Sequence, residues 1–379
     1  MNKKPFILGL PCEVHDSHLL TTEELAKAVG QNTGNLAFHY AIDLHFGGDL
    51  KSIDWGADVA QINAKNGCAL LPCANQLGVH ADLGSLADRF HQINRPIVAI
   101  GLGAQSQSAS VIPQIPEGSL RWVKEIVEHA PADYPNITVR GDFTRRVLEQ
   151  HDLADQVIVL GCPSFFINPD PALGKKIHSH IRPIRRIAVA SGNPWENGAR
   201  LESSLAGLVT ATQGAYICQH PLAMLKLARG EASSSSKDVL LKIKDYICPT
   251  LSPDAFIRWA GTYARSFYNI PDWIAYLRQF DFVVGTRIHG IVLALQAEVP
   301  ALCIAHDSRT LELCETMRIP YMASTDMATG ITQEDIPQLF NFYPEEFDLN
   351  RAKLARSYVR FLRNNGLEPA SFLAELYVK

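Results

Sequence analysis

The hydrophobic positions fall into short, nearly unbroken runs. Between them lie longer stretches in which apolar residues recur every three or four positions. The runs are residues 5–10, CALLPC (68–73), PIVAI (96–100), ITV (137–139), VIVLG (157–161), IAVAS (187–191), AYIC (215–218), FVVG (282–285) and ALCIA (301–305). A strand covered on both faces reads as a continuous apolar run, so these predict parallel strands inside a layered domain. The stretches between them predict helices. One spans Thr21 to Val29, opening on TTEEL, a capping-box start. A second follows the turn GQNTG and buries Leu36, Tyr40, Ile42 and Leu44. A third covers Leu120 to Ala130, and IVLALQA (291–297), apolar almost all round, predicts a helix packed inside the protein. Alternating strands and helices give an α/β class with mostly parallel sheets.

The alternation is interrupted at Asn168–Arg186, with two prolines in its first four residues and basic character thereafter. It reads as a linker. The predicted division is an N-terminal doubly wound (Rossmann-like) domain over 1–178 and a second over 179–347, with a cleft between them. A helical segment over 348–379 is predicted to pack back on the first domain. The polar run ARGEASSSSKD (228–238) predicts a mobile surface loop.

Composition narrows the class. A chain of 379 residues can bury two cores, and 47% hydrophobic with 20% charged residues is ordinary for a globular enzyme. A net charge of −4 argues against a nucleic-acid partner, which needs a basic face. No run reaches the roughly 18 apolar residues of a membrane span. FILGL near the start is too short for a signal-peptide core and reads as the first strand. Eight cysteines without a C-x-x-C pair predict reduced core thiols in a cytoplasmic protein.

Candidate chemistry gathers where strands end. Thr286-Arg287-Ile288-His289-Gly290 joins FVVG directly to the buried helix. Ligands of such units bind beyond the carboxyl ends of the strands. Free N–H groups and the helix dipole favour an anion there, and an arginine adds a two-pronged contact to phosphate or carboxylate. The same logic recurs at Arg140-Gly141 after ITV, where Arg140 either points into the cleft or pairs with Asp142. GLGAQS (101–106) is G-x-G-x-x-S; without its last glycine or an immediate helix it is no dinucleotide fingerprint. Its glycines still let backbone approach a ligand closely, which makes Gly103 and Gln105 candidates. Asn75 and Gln76 read as sugar-hydroxyl partners or plain turn residues, and Asn35 as a helix cap or a site residue. Ser191, Asn193 and His220 stand at strand ends of the second domain. Asp307 and Arg309, after His306, line the site or cap a helix. With no D-x-D or H-x-x-x-H, no metal is predicted. The residues alone imply an anion-handling transferase with a cleft.

GTRIHGIVLALQAEVPALCIAHDSR (285–309) resembles the C-terminal signature of the polysaccharide pyruvyl transferases. Arg140 and Thr144 fit that family's V-R-x-x-x-[ST] pattern. The resemblance implies a GT-B-like pair of domains, with acceptor on the N-terminal side and phosphoenolpyruvate on the C-terminal side. It implies transfer of the enolpyruvyl group onto two hydroxyls of a sugar in a polysaccharide or its precursor, giving a pyruvate ketal and phosphate. Phosphoenolpyruvate is then a co-substrate and no cofactor is needed. Arg287 would bind the donor's phosphate or carboxylate, and His289 would bond the phosphate or act as the acid. Arg140, Ile288 (through its N–H), Gly290, Gly103, Gln105, Ser191, Asn193, His220, Asn75 and Asn35 would line the substrates. Two departures stand out: Asn35 replaces a usual aspartate, and Cys162-Pro163 replaces a usual Asp-Pro. A lipid-linked acceptor would bring the enzyme to the inner membrane face as a peripheral protein, and a homo-oligomer is compatible with the sequence. The same turn would also serve a GT-B glycosyltransferase with a nucleotide-sugar donor, or a non-enzymatic binding protein of this fold.

Overall fold

The computed structural model describes residues 4–377; the ends of the predicted outer bounds, 1–3 and 378–379, lie outside the described residues. Two six-stranded sheets organise the chain. The first contains β1 (Phe6–Leu8), β2 (Ser52–Ile53), β3 (Ala69–Pro72), β4 (Ile97–Leu102), β5 (Ile137–Val139) and β6 (Val157–Val159). The second contains β7 (Ile187–Ala190), β8 (Ala215–Ile217), β9 (Ala264–Arg265), β10 (Phe282–Gly285), β11 (Ala301–Ala305) and β12 (Tyr321–Ala323). Their orders are β2-β1-β3-β4-β5-β6 and β12-β11-β10-β7-β8-β9. All the strand pairings are parallel. The protein is thus an α/β molecule of two doubly wound, GT-B-like domains. The winding direction reverses between β1 and β3, and again between β7 and β10. Such reversals leave a crevice at the carboxyl ends of the two strands, where ligands bind.

The apolar runs explain this packing. β4 and β11 are buried at every position. The helix Ile288–Gln296 is buried at all of its positions. It contacts β7, β10 and β11 as well as the first domain's helix Asn35–Leu44. One hydrophobic core therefore runs through both domains, joining Leu36 and Phe38 to Phe165, Ile288, Ile291, Phe347 and Tyr358. The helix Pro344–Asn364 lies against the helix Leu173–Ser179 of the first half. Its Arg351, fully buried, donates to Phe165 O at 3.0 Å, Asp170 O at 2.6 Å and Asn168 O.

Three local expectations change. The linker stretch contains the helix Leu173–Ser179, so its irregular chain is split into 168–172 and 180–186. Its Leu173 and Ile177 are buried, which the surrounding basic residues mask in the sequence. The run 228–238 is tied to the first domain: Arg229 donates to Leu20 O at 2.9 Å, and Glu231 accepts from Thr22 Oγ1 at 2.7 Å. Its Ser236 caps the helix Lys237–Ile247. Finally, β2, β9 and β12 carry no apolar run and are edge strands of their sheets. All eight cysteines are unpaired. Among the described residues, no helix is long and apolar enough to cross a membrane.

Candidate active site

The turn after β10 places the first candidates. Arg287 sits at the N-cap of the Ile288 helix with no side-chain capping bond. Only 8% exposed, its Nε and Nη2 have no hydrogen-bond partner in the protein. Its nearest acid is Glu196, with Oε1 3.9 Å from Nη2. Burial lowers the guanidinium's pKa, Glu196 opposes that, and Arg309 reinforces it. Ile288 turns its side chain into the core, and its amide opens the helix without an intrahelical partner. Gly290 lets this helix lie close on β7, because a Cβ there would sit 2.7 Å from Ala190 Cβ.

His289 is 7% exposed. Its Nε2 lies 3.6 Å from Cys162 Sγ, and its ring centroid 5.4 Å from that of Phe38. Burial, then the positive charges of Arg140 and Arg309, hold its pKa well below 6.5. The imidazole is therefore neutral at pH 7.

Arg140 is buried and directed at the same region, but it is already anchored. Nε donates to Gly101 O at 2.9 Å and Nη2 to Cys73 O at 3.3 Å, while the guanidinium carbon stands 5.8 Å from the Phe38 ring centroid. Gly103 is the space this side chain needs, since a Cβ would come within 2.8 Å of Arg140 Cδ. Arg140 thus contributes positive charge more than open donors.

The next strand end supplies further groups. Asp307 caps the helix Ser308–Met317 through Thr310 N at 2.8 Å. Arg309 Nη2 lies 3.2 Å from Asp307 Oδ2, while its buried Nε has no partner. His306 Nε2 stands 3.8 Å from Asp307 Oδ2 and 3.9 Å from Glu196 Oε2, and its buried Nδ1 is unpartnered. Buried donors without partners are costly. Arg287, Arg309 and His306 thus gather, beyond these strand ends, buried nitrogens without protein partners that can serve an anion.

The domains are clasped beside this place. Gly141, the N-cap of helix Asp142–Glu149, has no side chain to cap it. Glu312 of the other domain does so, accepting from Thr144 N at 3.0 Å and Thr144 Oγ1 at 2.7 Å. Thr144 Oγ1 in turn accepts from Ala104 N at 2.8 Å, in the turn of Gly103. Burial pushes the Glu312 carboxyl up to about 7.

Other predicted residues are engaged in the fold. Asn35 Nδ2 donates to Val29 O at 3.0 Å and Gly30 O at 3.2 Å, closing its own turn. Asn75 donates to Gln105 Oε1, and Gln105 Nε2 reaches Asp307 Oδ2 at 3.5 Å. Ser191 is fully buried, with no hydrogen-bond partner for its Oγ. Asn193 Nδ2 donates to Glu196 Oε1 at 2.9 Å. His220 Nδ1 lies 2.9 Å from Gln31 O of the first domain. Glu196, Glu312 and the Cys162–His289 contact were not foreseen. The two glutamates carry no motif, and Cys162 was visible only as a departure from the family pattern.

Two doubly wound domains, with the incompletely partnered arginines Arg287 and Arg309 beyond strand ends of the second sheet, make a GT-B-like molecule. The family model described as polysaccharide pyruvyl transferase matches residues 69–308, which include Arg140, Arg287 and His289. The chain belongs to the polysaccharide pyruvyl transferase family and is a transferase. No match is found among curated proteins. Among solved structures, the S. aureus MnaA–UDP co-structure is similar at 11% identity and TM-score 0.45, covering 98% of this chain and 99% of that one. UDP-N-acetylglucosamine 2-epimerase from Rickettsia bellii is similar at 13% identity and TM-score 0.44, covering 96% of each chain. At those values the likeness bears on neither substrate nor mechanism.

Proposed function

We propose that this enzyme moves the enolpyruvyl group of phosphoenolpyruvate onto two hydroxyls of a sugar in a polysaccharide or its precursor. The observation that carries this reading is the buried Arg287, with Nε and Nη2 lacking a protein partner beside a helix start. The donor has a phosphate and a carboxylate, and Arg287, Arg309 and the amides of Ile288 and His289 are donors suited to both.

The chemistry divides into two bond-forming steps. One hydroxyl oxygen bonds to the donor's central carbon and gives up its proton to a base, while the methylene takes a proton from the acid and becomes a methyl. The second hydroxyl oxygen then displaces phosphate from that carbon, and its proton leaves with phosphate or a base. His289 is suited to hold the methylene's proton. It is neutral because of burial and then the field of Arg140 and Arg309, and a bound anion offsets that field and raises its pKa. Much of the rate would come from positioning and charge stabilisation.

Thermal melting tests the donor class. A ligand at 100 times its Kd stabilises by about 2.7 kcal/mol, so phosphoenolpyruvate should raise the melting temperature and nucleotide sugars should not. A rise with a nucleotide sugar and none with phosphoenolpyruvate would contradict the reading and favour a GT-B glycosyltransferase.

A further inference from the structure

A pocket of about 390 Å³ opens over the second sheet, beside the arginines. It lies between the loop after β7, the start of helix Ala199–Ala211, Thr286 after β10, His306 after β11 and the loop after β12. This is the switch-point crevice of that sheet, and its size is that of a small-ligand site.

Its lining differs in charge from the anion site next door. Glu196 and Glu202 face a single arginine, Arg200. Glu202 is held in place by Tyr216 Oη and by Gly192 N at 3.0 Å. Burial raises the pKa of the Glu202 carboxyl, whose oxygens already accept from Tyr216 and Gly192, so the exposed Glu196 is the carboxylate that disfavours a second phosphate and is free to accept from a hydroxyl. Asn197 and Thr325 add neutral polar groups. Glu196 joins the two regions, with one oxygen 3.9 Å from Arg287 and the other 3.9 Å from His306. The unpartnered His306 Nδ1 is a further buried polar atom at this junction.

We propose that this pocket seats the acceptor sugar, with its reacting hydroxyls turned toward His306 and the donor held at Arg287. The proposal rests on the pyruvyl-transfer reading and moves the acceptor ring from the N-terminal to the C-terminal domain. The polar candidates of the N-terminal side are already engaged: Asn35 with Val29 and Gly30, Asn75 with Gln105, and Gln105 with Asp307. The pocket, by contrast, offers exposed Asn197 and Thr325 at its rim.

The test is saturation-transfer NMR with methyl β-D-galactopyranoside, methyl β-D-glucopyranoside and methyl β-D-mannopyranoside. All three carry free 4- and 6-hydroxyls. Each is measured with and without phosphoenolpyruvate, on the wild type and on an Asn197→Ala/Thr325→Ala variant. Both substitutions are on exposed side chains, so the fold should persist. At least one glycoside should show transfer that weakens about tenfold in the variant, the loss of two hydrogen bonds, while phosphoenolpyruvate affinity by calorimetry stays within about twofold. Transfer undiminished in the variant, or absent for all three glycosides, would overturn the pocket assignment. Failure of the wild type to bind phosphoenolpyruvate would instead count against pyruvyl transfer, and the glycoside signal would still decide the pocket.

Discussion

His289 is surrounded by features that suppress its charge, burial first and then the nearby arginines Arg140 and Arg309, while its Nε2 meets only the thiol of Cys162. Cys162 occupies a position where the family pattern has an acid, and an aspartate there would stabilise imidazolium. Phosphoenolpyruvate binding at pH 7 should therefore take up a proton on His289, read by calorimetry in buffers of different ionisation enthalpy. His289→Gln should lose that uptake. Cys162→Asp should reduce it, because His289 would already be partly protonated. Equal uptake in wild type and His289→Gln would place the proton elsewhere. Arg287 and His289 were legible in the sequence because strand, turn and helix are contiguous, so position follows from local pattern. Glu196 was not, because its role exists only where the loop after β7 meets the turns after β10 and β11.

At the scale of elements, Glu312 completes a helix that belongs to the other domain, across 168 residues of chain. Sequence reading stops at Gly141, since an N-cap glycine shows a cap is missing without showing what replaces it. Its raised pKa fixes the sign of the linkage. A carboxyl raised from 4.5 to about 7 in the folded protein favours the folded state below pH 4.5, and that contribution is lost as pH rises to 7 and above. The charges facing it are Arg140, which favours ionisation, and Asp307, which opposes it. Between pH 4.5 and 8 the wild type should lose roughly 3 kcal/mol relative to Glu312→Gln, measured by denaturant unfolding at each pH. A constant difference between the two proteins would show that Glu312 does not titrate in this range. The same scale explains the strands that pattern missed. β2, β9 and β12 are edge strands of two or three residues, only partly buried, and no apolar run marks them, whereas the edge strand β6 is marked by Val157-Ile158-Val159.

At the scale of the molecule, two parallel sheets and a cleft were readable because short apolar runs, too short for helices, alternate with longer stretches of helical periodicity. The return of the 348–379 segment toward the first domain was expected from the sequence, but the residues that dock the domains were not readable. The core shared by Phe38, Ile288 and Phe165, and the Arg351 bonds to three carbonyls, depend on surfaces distant in the chain. These contacts hold the two switch-point crevices face to face. They also explain why the first domain's Arg140 charges a site built on the second. Among the described residues, Arg287 is the buried cation of the cleft with two nitrogens, Nε and Nη2, lacking a protein partner. The most direct measurement is calorimetric titration of phosphoenolpyruvate into the wild type and Arg287→Ala. Binding by the wild type, weakened at least roughly tenfold in the variant by loss of charge-assisted hydrogen bonds, is the predicted result. Equal affinity in the two proteins would contradict an anion site at Arg287.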